Sequence, residues 1–190
     1  MSPEEWKTGE AEERGQFRIF SIKEVQATSP RTGKDLSFYL LECNDWVNVI
    51  PLTEAGEVVM IRQYRFGTQQ MELEIPGGVI EEGETPEQAA VRELEEETGY
   101  TGGEVSYLGS VSPNPAFHTN RSHTVVIQGV TPDGTQSLDP GEDLEVELQT
   151  LSDVPGLIAD GTIRHSLVMA AFQDRKSVVQ GKRVDLGGRR

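Results

Sequence analysis

Residues 78–100 read GVIEEGETPEQAAVRELEEETGY, and local signals inside this stretch define a helix. Thr85 is an N-cap candidate, Pro86 suits the first helical position, and Gln88 completes a T-x-x-Q capping box. Gly99 suits the residue just past the helix, where a left-handed backbone closes the last turn. A helix from Pro86 to Thr98 is predicted, with Ala90, Val91 and Leu94 as its apolar face. Glu93 and Glu97 lie one turn apart with Glu96 beside them. At about 100° per residue the three carboxylates fall within an arc of about 100° on the opposite face.

Like charges at this spacing destabilise a helix by a few tenths of a kcal/mol per pair, so a positive partner is expected. Between Glu72 and Glu97 there are ten acidic residues and one basic residue, Arg92. A hard dication is the best compensation: Mg²⁺ prefers carboxylate and carbonyl oxygens and shares its shell with waters and substrate phosphates. The Pro76-Gly77-Gly78 turn lets the backbone come close enough for a carbonyl to join that shell.

The whole chain has 190 residues and a formal charge of −15, from 17 Lys and Arg against 32 Asp and Glu. This length suits one domain, or one domain with a small appendage. The acidic balance argues against nucleic acid as a partner, which needs a basic footprint. It permits an acidic cluster that holds cations, which in turn hold an anionic substrate. A single cysteine, Cys43, excludes an intramolecular disulfide framework and a Cys-rich zinc site. No apolar run reaches the roughly 18 residues of a membrane span, and the charged N-terminus does not read as a secretory signal. The expectation is a soluble cytoplasmic protein without a membrane partner.

Four segments are expected: a polar N-terminal segment (1–15), a β-meander (16–46), the main domain (47–174) and a basic tail (175–190). The runs FRIFSI, LSFYLLE and WVNVIPL, separated by turn signals, read as strands, and VVMIRQYRF follows as another. Beyond the helix, 105–111, 122–130 and 144–151 read as strands, 131–143 as a loop, and 153–160 and 165–174 as short helices.

From Gly78 to Tyr100 the chain resembles the Nudix box, G-x5-E-x7-R-E-U-x-E-E-x-G-U, where U is a bulky apolar residue. Gly78, Glu84, Arg92, Glu93, Glu96, Glu97 and Gly99 all match, and Tyr100 stands where an aliphatic residue is commoner. The resemblance implies a Nudix α/β/α sandwich with a mixed sheet, preceded by a small antiparallel sheet. It also implies metal-dependent hydrolysis of a nucleoside diphosphate linked to a further group. In it, Glu93, Glu96 and Glu97 would bind Mg²⁺ or Mn²⁺ together with the Gly77 carbonyl, and Arg92 and Glu84 would form a supporting ion pair.

Further features resemble the branch that cleaves ADP-ribose and other nucleoside diphosphate sugars. They are Arg62-Gln63-Tyr64-Arg65 followed by Glu72-Leu73-Glu74-Ile75-Pro76-Gly77-Gly78, a proline beyond the box at Pro115 or Pro113, and the acidic Gly141-Glu142-Asp143-Leu144-Glu145. Gly77 replaces the alanine usual in that branch. Arg62, Arg65, Glu72 and Pro115 are thereby candidate substrate contacts, with His118 in the NPAFHTNR loop. Glu142 is the first candidate for catalytic base, Glu145 the second, and Glu96 or Glu97 the alternative. ADP-ribose leads as substrate. A GDP-mannose-type sugar, a dinucleoside polyphosphate, or sensing of a nucleotide sugar without turnover are the rival readings. The branch also implies a homodimer formed through the N-terminal sheet. Phe38, Tyr39 and Trp46 are read as packing residues before base-stacking ones, and His123, His165 and Cys43 as structural.

Overall fold

A computed structural model describes residues 4–173 of the chain. The basic tail at 175–190 lies outside the described residues. The chain divides into two units: residues up to Asp45 with Ser112–Arg121, and Trp46–Val111 with the residues from Ser122 onward.

In the first unit β1 (Lys7–Gln16), β2 (Ser21–Thr28) and β3 (Asp35–Glu42) form an antiparallel sheet in that order. Cross-strand partners share a face. Val25 lies opposite Ala11 and Phe38, and Ala27 opposite Leu36, which makes one face apolar; Glu24 opposite Tyr39 and Gln26 opposite Ser37 make the other polar. Trp6 meets Phe38 edge-on, with ring centroids 5.4 Å apart.

This sheet corrects the sequence reading of its first strand. The polar segment expected before residue 16 is a ten-residue strand, and Phe17–Phe20 of the apolar FRIFSI run is the turn after it. An edge strand exposed on most of its length needs no apolar face. Backbone pairing and charged cross-strand partners suffice here, with Arg14 Nε donating to Glu24 at 2.6 Å and Lys23 Nζ to Glu13 at 3.4 Å. Phe17 and Ile19 are consequently more than half exposed.

The second unit contains β4 (Trp46–Leu52), β5 (Glu57–Arg65), β6 (Gln70–Glu74), β7 (Gly77–Val79), α1 (Pro86–Thr98), β8 (Glu104–Val111), β9 (Ser122–Gln128), β10 (Leu144–Thr150), α2 (Val154–Ala159) and α3 (Ser166–Gln173). Its sheet runs β10-β5-β4-β9-β8, with β6 added to β5 and β7 to β4. Only β4 and β9 run parallel among these pairings, so the sheet is mixed.

The apolar runs are continuous because both sheet faces are covered. Val58 and Met60 pack on one side with Ile50, Val126 and Phe172; Val59, between them, packs on the other with Val49, Val125, Ala90 and Leu94. Each such fully buried side chain contributes about 1.5–3 kcal/mol relative to exposure. The result is the expected α/β/α sandwich, with α1 over one face and α3 over the other. Strand β6 was not expected, because the glutamates at 72 and 74 hide a period-two pattern. The Pro76-Gly77-Gly78 stretch reads as a turn, whereas Gly77–Val79 pairs with β4 as β7.

Candidate active site

Helix α1 has the bounds its caps dictate. Gln88 N–H donates to Thr85 Oγ1 at 3.3 Å, and Thr85 N–H donates back to Gln88 Oε1 at 2.9 Å. Gly99, at φ 69°, closes the other end through its N–H to the Glu95 carbonyl. The apolar face is corrected: Ala89, Ala90 and Leu94 are buried, whereas Val91 is exposed. The carboxylates are also not on the opposite face. Glu93 and Glu97 are buried on the shoulder of the packed face, and Glu96 is half-buried.

That shoulder meets β7. Gly77 N–H donates to Glu97 Oε2 at 2.9 Å. A Cβ at Gly78 would overlap the Glu93 carboxylate, and one at Gly77 would overlap the Val47 carbonyl oxygen. The glycine standing at 77 in place of alanine therefore lets β7 lie closer to β4 than a methyl group would allow.

Arg92 joins the loop to the helix. Its Nε and Nη2 donate to the two oxygens of Glu84, each at 2.9 Å, and Nη2 also to the Val79 carbonyl at 3.0 Å. Its Nη1 donates to Glu93 at 2.9 Å and Glu96 at 3.0 Å. These bonds hold the Glu84 carboxyl down at about 2 and raise Arg92 above its ordinary value. Glu97 moves the other way. Burial, opposed by the Gly77 N–H and reinforced by the charges of Glu93 and Glu142, pushes it up to about 8. Burial likewise raises Glu93, against the pull of Arg92.

Glu142 is half-buried in the loop before β10, and its Oε2 accepts from Asp139 N–H at 2.9 Å. Its charge contributes to the raising of both Glu93 and Glu97. Glu145 is exposed on β10, in register with Arg62.

Residues 45–172 match the NUDIX domain family. The chain belongs to the Nudix family. An ADP-ribose pyrophosphatase of Bacillus subtilis is 32% identical over 128 residues, 67% of this chain and 69% of that protein. A methanol dehydrogenase activator of Bacillus methanolicus is 34% identical over the same shares of the two chains. The crystal structure of an ADP compounds hydrolase superposes with a TM-score of 0.83 over 95% of this chain and 97% of that one; at 23% identity this is a likeness of fold.

Nudix hydrolases generally depend on a divalent metal. Among the described residues, no three His, Cys, Asp or Glu side chains stand together ready to hold an ion. In this arrangement Arg92 engages Glu93 and Glu96 while Gly77 engages Glu97. The donor set nevertheless fits a hard dication. Two buried carboxylates with raised affinity for protons stand close to a third and to a glycine backbone, which are the oxygen donors a hard dication takes.

Beside the Nudix box lies a cleft of about 670 Å³, lined by Gly77 and Gly78, by Arg65, Glu72 and Glu74, and by Trp46, Phe66, Arg164 and His165. Arg65 forms a two-bond pair with the buried Glu74, Nε to Oε1 at 2.8 Å and Nη2 to Oε2 at 2.7 Å. Glu72, also buried, accepts from Arg164 Nε at 2.8 Å and from Thr68 Oγ1 at 2.8 Å. The Arg164 bond is the main cause of the lowering of the Glu72 carboxyl.

The structure thus brings together Gly77, Glu84, Arg92, Glu93, Glu96 and Glu97, and around the cleft Arg65 and Glu72. Arg62 is not among them. Arg62 turns to Glu147 on β10, with Nε 3.0 Å from its carboxylate, and does not line the cleft. Pro115 and His118 belong to the first unit, where His118 N–H and Phe117 N–H close a turn on the Asn114 carbonyl and His118 bridges to Leu41. Sequence reading missed Glu74 and Arg164 as cleft residues. Glu74 was within reach, since strand period two puts it on the face of Glu72; Arg164 stands in no motif. Cys43 is half-buried, its thiol raised by burial and then by Asp45, which makes it a poor nucleophile.

Proposed function

We propose that this Nudix protein hydrolyses the pyrophosphate of nucleoside diphosphate sugars, with ADP-ribose the leading substrate. Water and ADP-ribose would give AMP and ribose 5-phosphate. The observation that carries the proposal is the meeting of Glu93 and Glu97 with the Gly77–Gly78 backbone beside an open cleft. The kinship to the Bacillus subtilis ADP-ribose pyrophosphatase over two thirds of the chain supports the choice of substrate.

In this reading Glu93, Glu96, Glu97 and the Gly77 carbonyl hold Mg²⁺, with Mn²⁺ as a substitute. When bound, such an ion neutralises the pyrophosphate and lowers the pKa of its water. Glu142 takes a proton from the attacking water as the P–O bond to the leaving phosphate breaks, and Glu96 is the alternative base. Arg92, tied to Glu84, keeps the loop and helix in register. Arg65 and Glu72 line the bound substrate.

A homodimer belongs to the same proposal. The apolar face of the first sheet leaves Trp6, Leu36 and Phe38 each more than two-fifths exposed, a surface suited to a second copy. A cytoplasmic location accords with a single unpaired thiol.

The test is product chromatography with Mg²⁺ on ADP-ribose, GDP-mannose, UDP-glucose and diadenosine polyphosphate. Preferred release of AMP and ribose 5-phosphate is expected; inertness toward every sugar nucleotide would overturn the reading.

A further inference from the structure

The loop that carries Glu142 is bolted to the C-terminal turn of α1. Ser137 N–H donates to the Glu96 carbonyl at 2.8 Å, Gln136 Nε2 to the Glu97 carbonyl at 2.7 Å, and Gly134 N–H to the Gly99 carbonyl at 3.0 Å. The last carbonyls of a helix have no partner within it, and they are commonly met by water or by a cap. Here the loop supplies two donors to them and a third to the Gly99 cap. The fit is close. A Cβ on Gly134 would lie 3.1 Å from both the Gly99 carbonyl oxygen and Glu95, and one on Gly99 would lie 3.2 Å from Gln136 N. Gln136 is the one member of the latch that donates through its side chain, so it alone can be removed without altering the backbone.

The carbonyls being gripped belong to Glu96 and Glu97, two residues whose carboxylates belong to the box. Five residues beyond Ser137, Glu142 folds back onto the same loop through Asp139 N–H. The path from the box helix to Glu142 is therefore short and hydrogen-bonded at both ends. We propose that Gln136 is a positioning residue: its bond to the Glu97 carbonyl sets where Glu142 stands relative to the box carboxylates, and it acts on turnover through Glu142. This rests on the reading of Glu142 as the base. A displacement of about 1 Å at such a group costs on the order of a hundredfold in rate, whereas ground-state binding made elsewhere is unaffected.

The test compares Gln136→Ala, Gln136→Glu, Glu142→Gln and the double variant Gln136→Ala/Glu142→Gln, assayed with ADP-ribose and Mg²⁺. Thermal melting checks the fold, and amide hydrogen exchange at Ser137 is read without metal. Gln136→Ala is expected to lower kcat about tenfold to a hundredfold with KM unchanged, and to speed exchange at Ser137. Gln136→Glu, which sets a carboxylate against the carbonyl, is expected to be no better. In the Glu142→Gln background the Gln136→Ala substitution should have no further effect. An undiminished Gln136 effect in that background, or an unchanged kcat in Gln136→Ala, would overturn the inference. Full activity of Glu142→Gln alone would instead overturn the base assignment on which it rests.

Discussion

Glu97 on α1 and Gly77 on β7, twenty residues apart, are joined by a 2.9 Å hydrogen bond from the glycine N–H to the carboxylate. The bond anchors an acid whose burial is measurable as a function of pH. The Glu97 carboxyl at about 8 lies well above an ordinary glutamate, about 4.3. Between these values the folded chain retains a proton that the unfolded chain has released. The stability of the metal-free protein therefore falls as pH rises across this window and levels off above about 8. Glu93, raised in the same direction, acts in the same sense. Mg²⁺ binding must displace these protons, so the rise in Tm on adding Mg²⁺ is expected to be larger at about pH 8.5 than at about pH 6. Equal gains at both would contradict the placement of the ion.

Glu97→Gln removes the charge and keeps the shape. At neutral pH the metal-free protein should fold as before, with an unchanged circular dichroism spectrum and a flatter dependence of stability on pH. Turnover should fall by at least about a hundredfold, equivalent to about 2.7 kcal/mol at the transition state. Retained turnover in steady-state assays would remove Glu97 from the ion site.

The pair made by Arg92 and Glu84 has the opposite sign. With Glu84 held at about 2, below its unfolded value, its contribution is present above about pH 4.3 and is lost as pH falls through about 2. Glu84→Gln should cost about 1–2 kcal/mol near neutrality by urea unfolding, and the gap to the natural chain should shrink on acidification. A gap that stays constant down to about pH 2 would show that packing, not charge, holds the loop.

Much of this site was legible because its signals are local. The cap residues Thr85, Gln88 and Gly99 are defined by bonds within four residues of each other, and α1 begins and ends where they say. The box spacing follows from helix geometry. Val91 was misread because at one residue's remove from Ala90 it lies just beyond the packed stripe, while Glu93 and Glu97 fill the place an apolar pattern leaves blank. Arg164 and Gln136 were not legible for a different reason. Their partners lie 92 and 39 residues away, and those contacts exist only once the sheet is assembled. Residues 7–16 show the limit of hydropathy: an edge strand is held by its ladder, and its polar side chains carry no sign of it.

Gly78 separates the cost to the site from the cost to the fold. An added methyl would overlap the end of the Glu93 side chain rather than backbone, so the carboxylate can swing aside. Gly78→Ala is expected to lose about 1 kcal/mol or less of stability and at least about tenfold in kcat, with a weaker response of Tm to Mg²⁺. Tm and kcat falling together in the absence of any change in the Mg²⁺ response would mean that the backbone, not Glu93, is disturbed.

Arg65 and Glu74 allow the sharpest test of the cleft. Glu74 is 2% exposed and its two oxygens accept two parallel bonds from one guanidinium. That geometry belongs to arginine; a lysine ammonium is a point charge and makes one such bond at a time. Arg65→Lys should therefore keep the charge and still cost about 1–2 kcal/mol in stability. Arg65→Ala should cost more, about 3 kcal/mol, because the carboxylate is left buried without its partner. Glu74→Gln asks whether Arg65 also serves the substrate. Released from its partner's charge but still in place, Arg65 is expected to hold KM for ADP-ribose within about threefold while stability falls. If KM instead rises tenfold or more in Glu74→Gln and stays normal in Arg65→Lys, it is the carboxylate, and not the arginine, that the substrate senses.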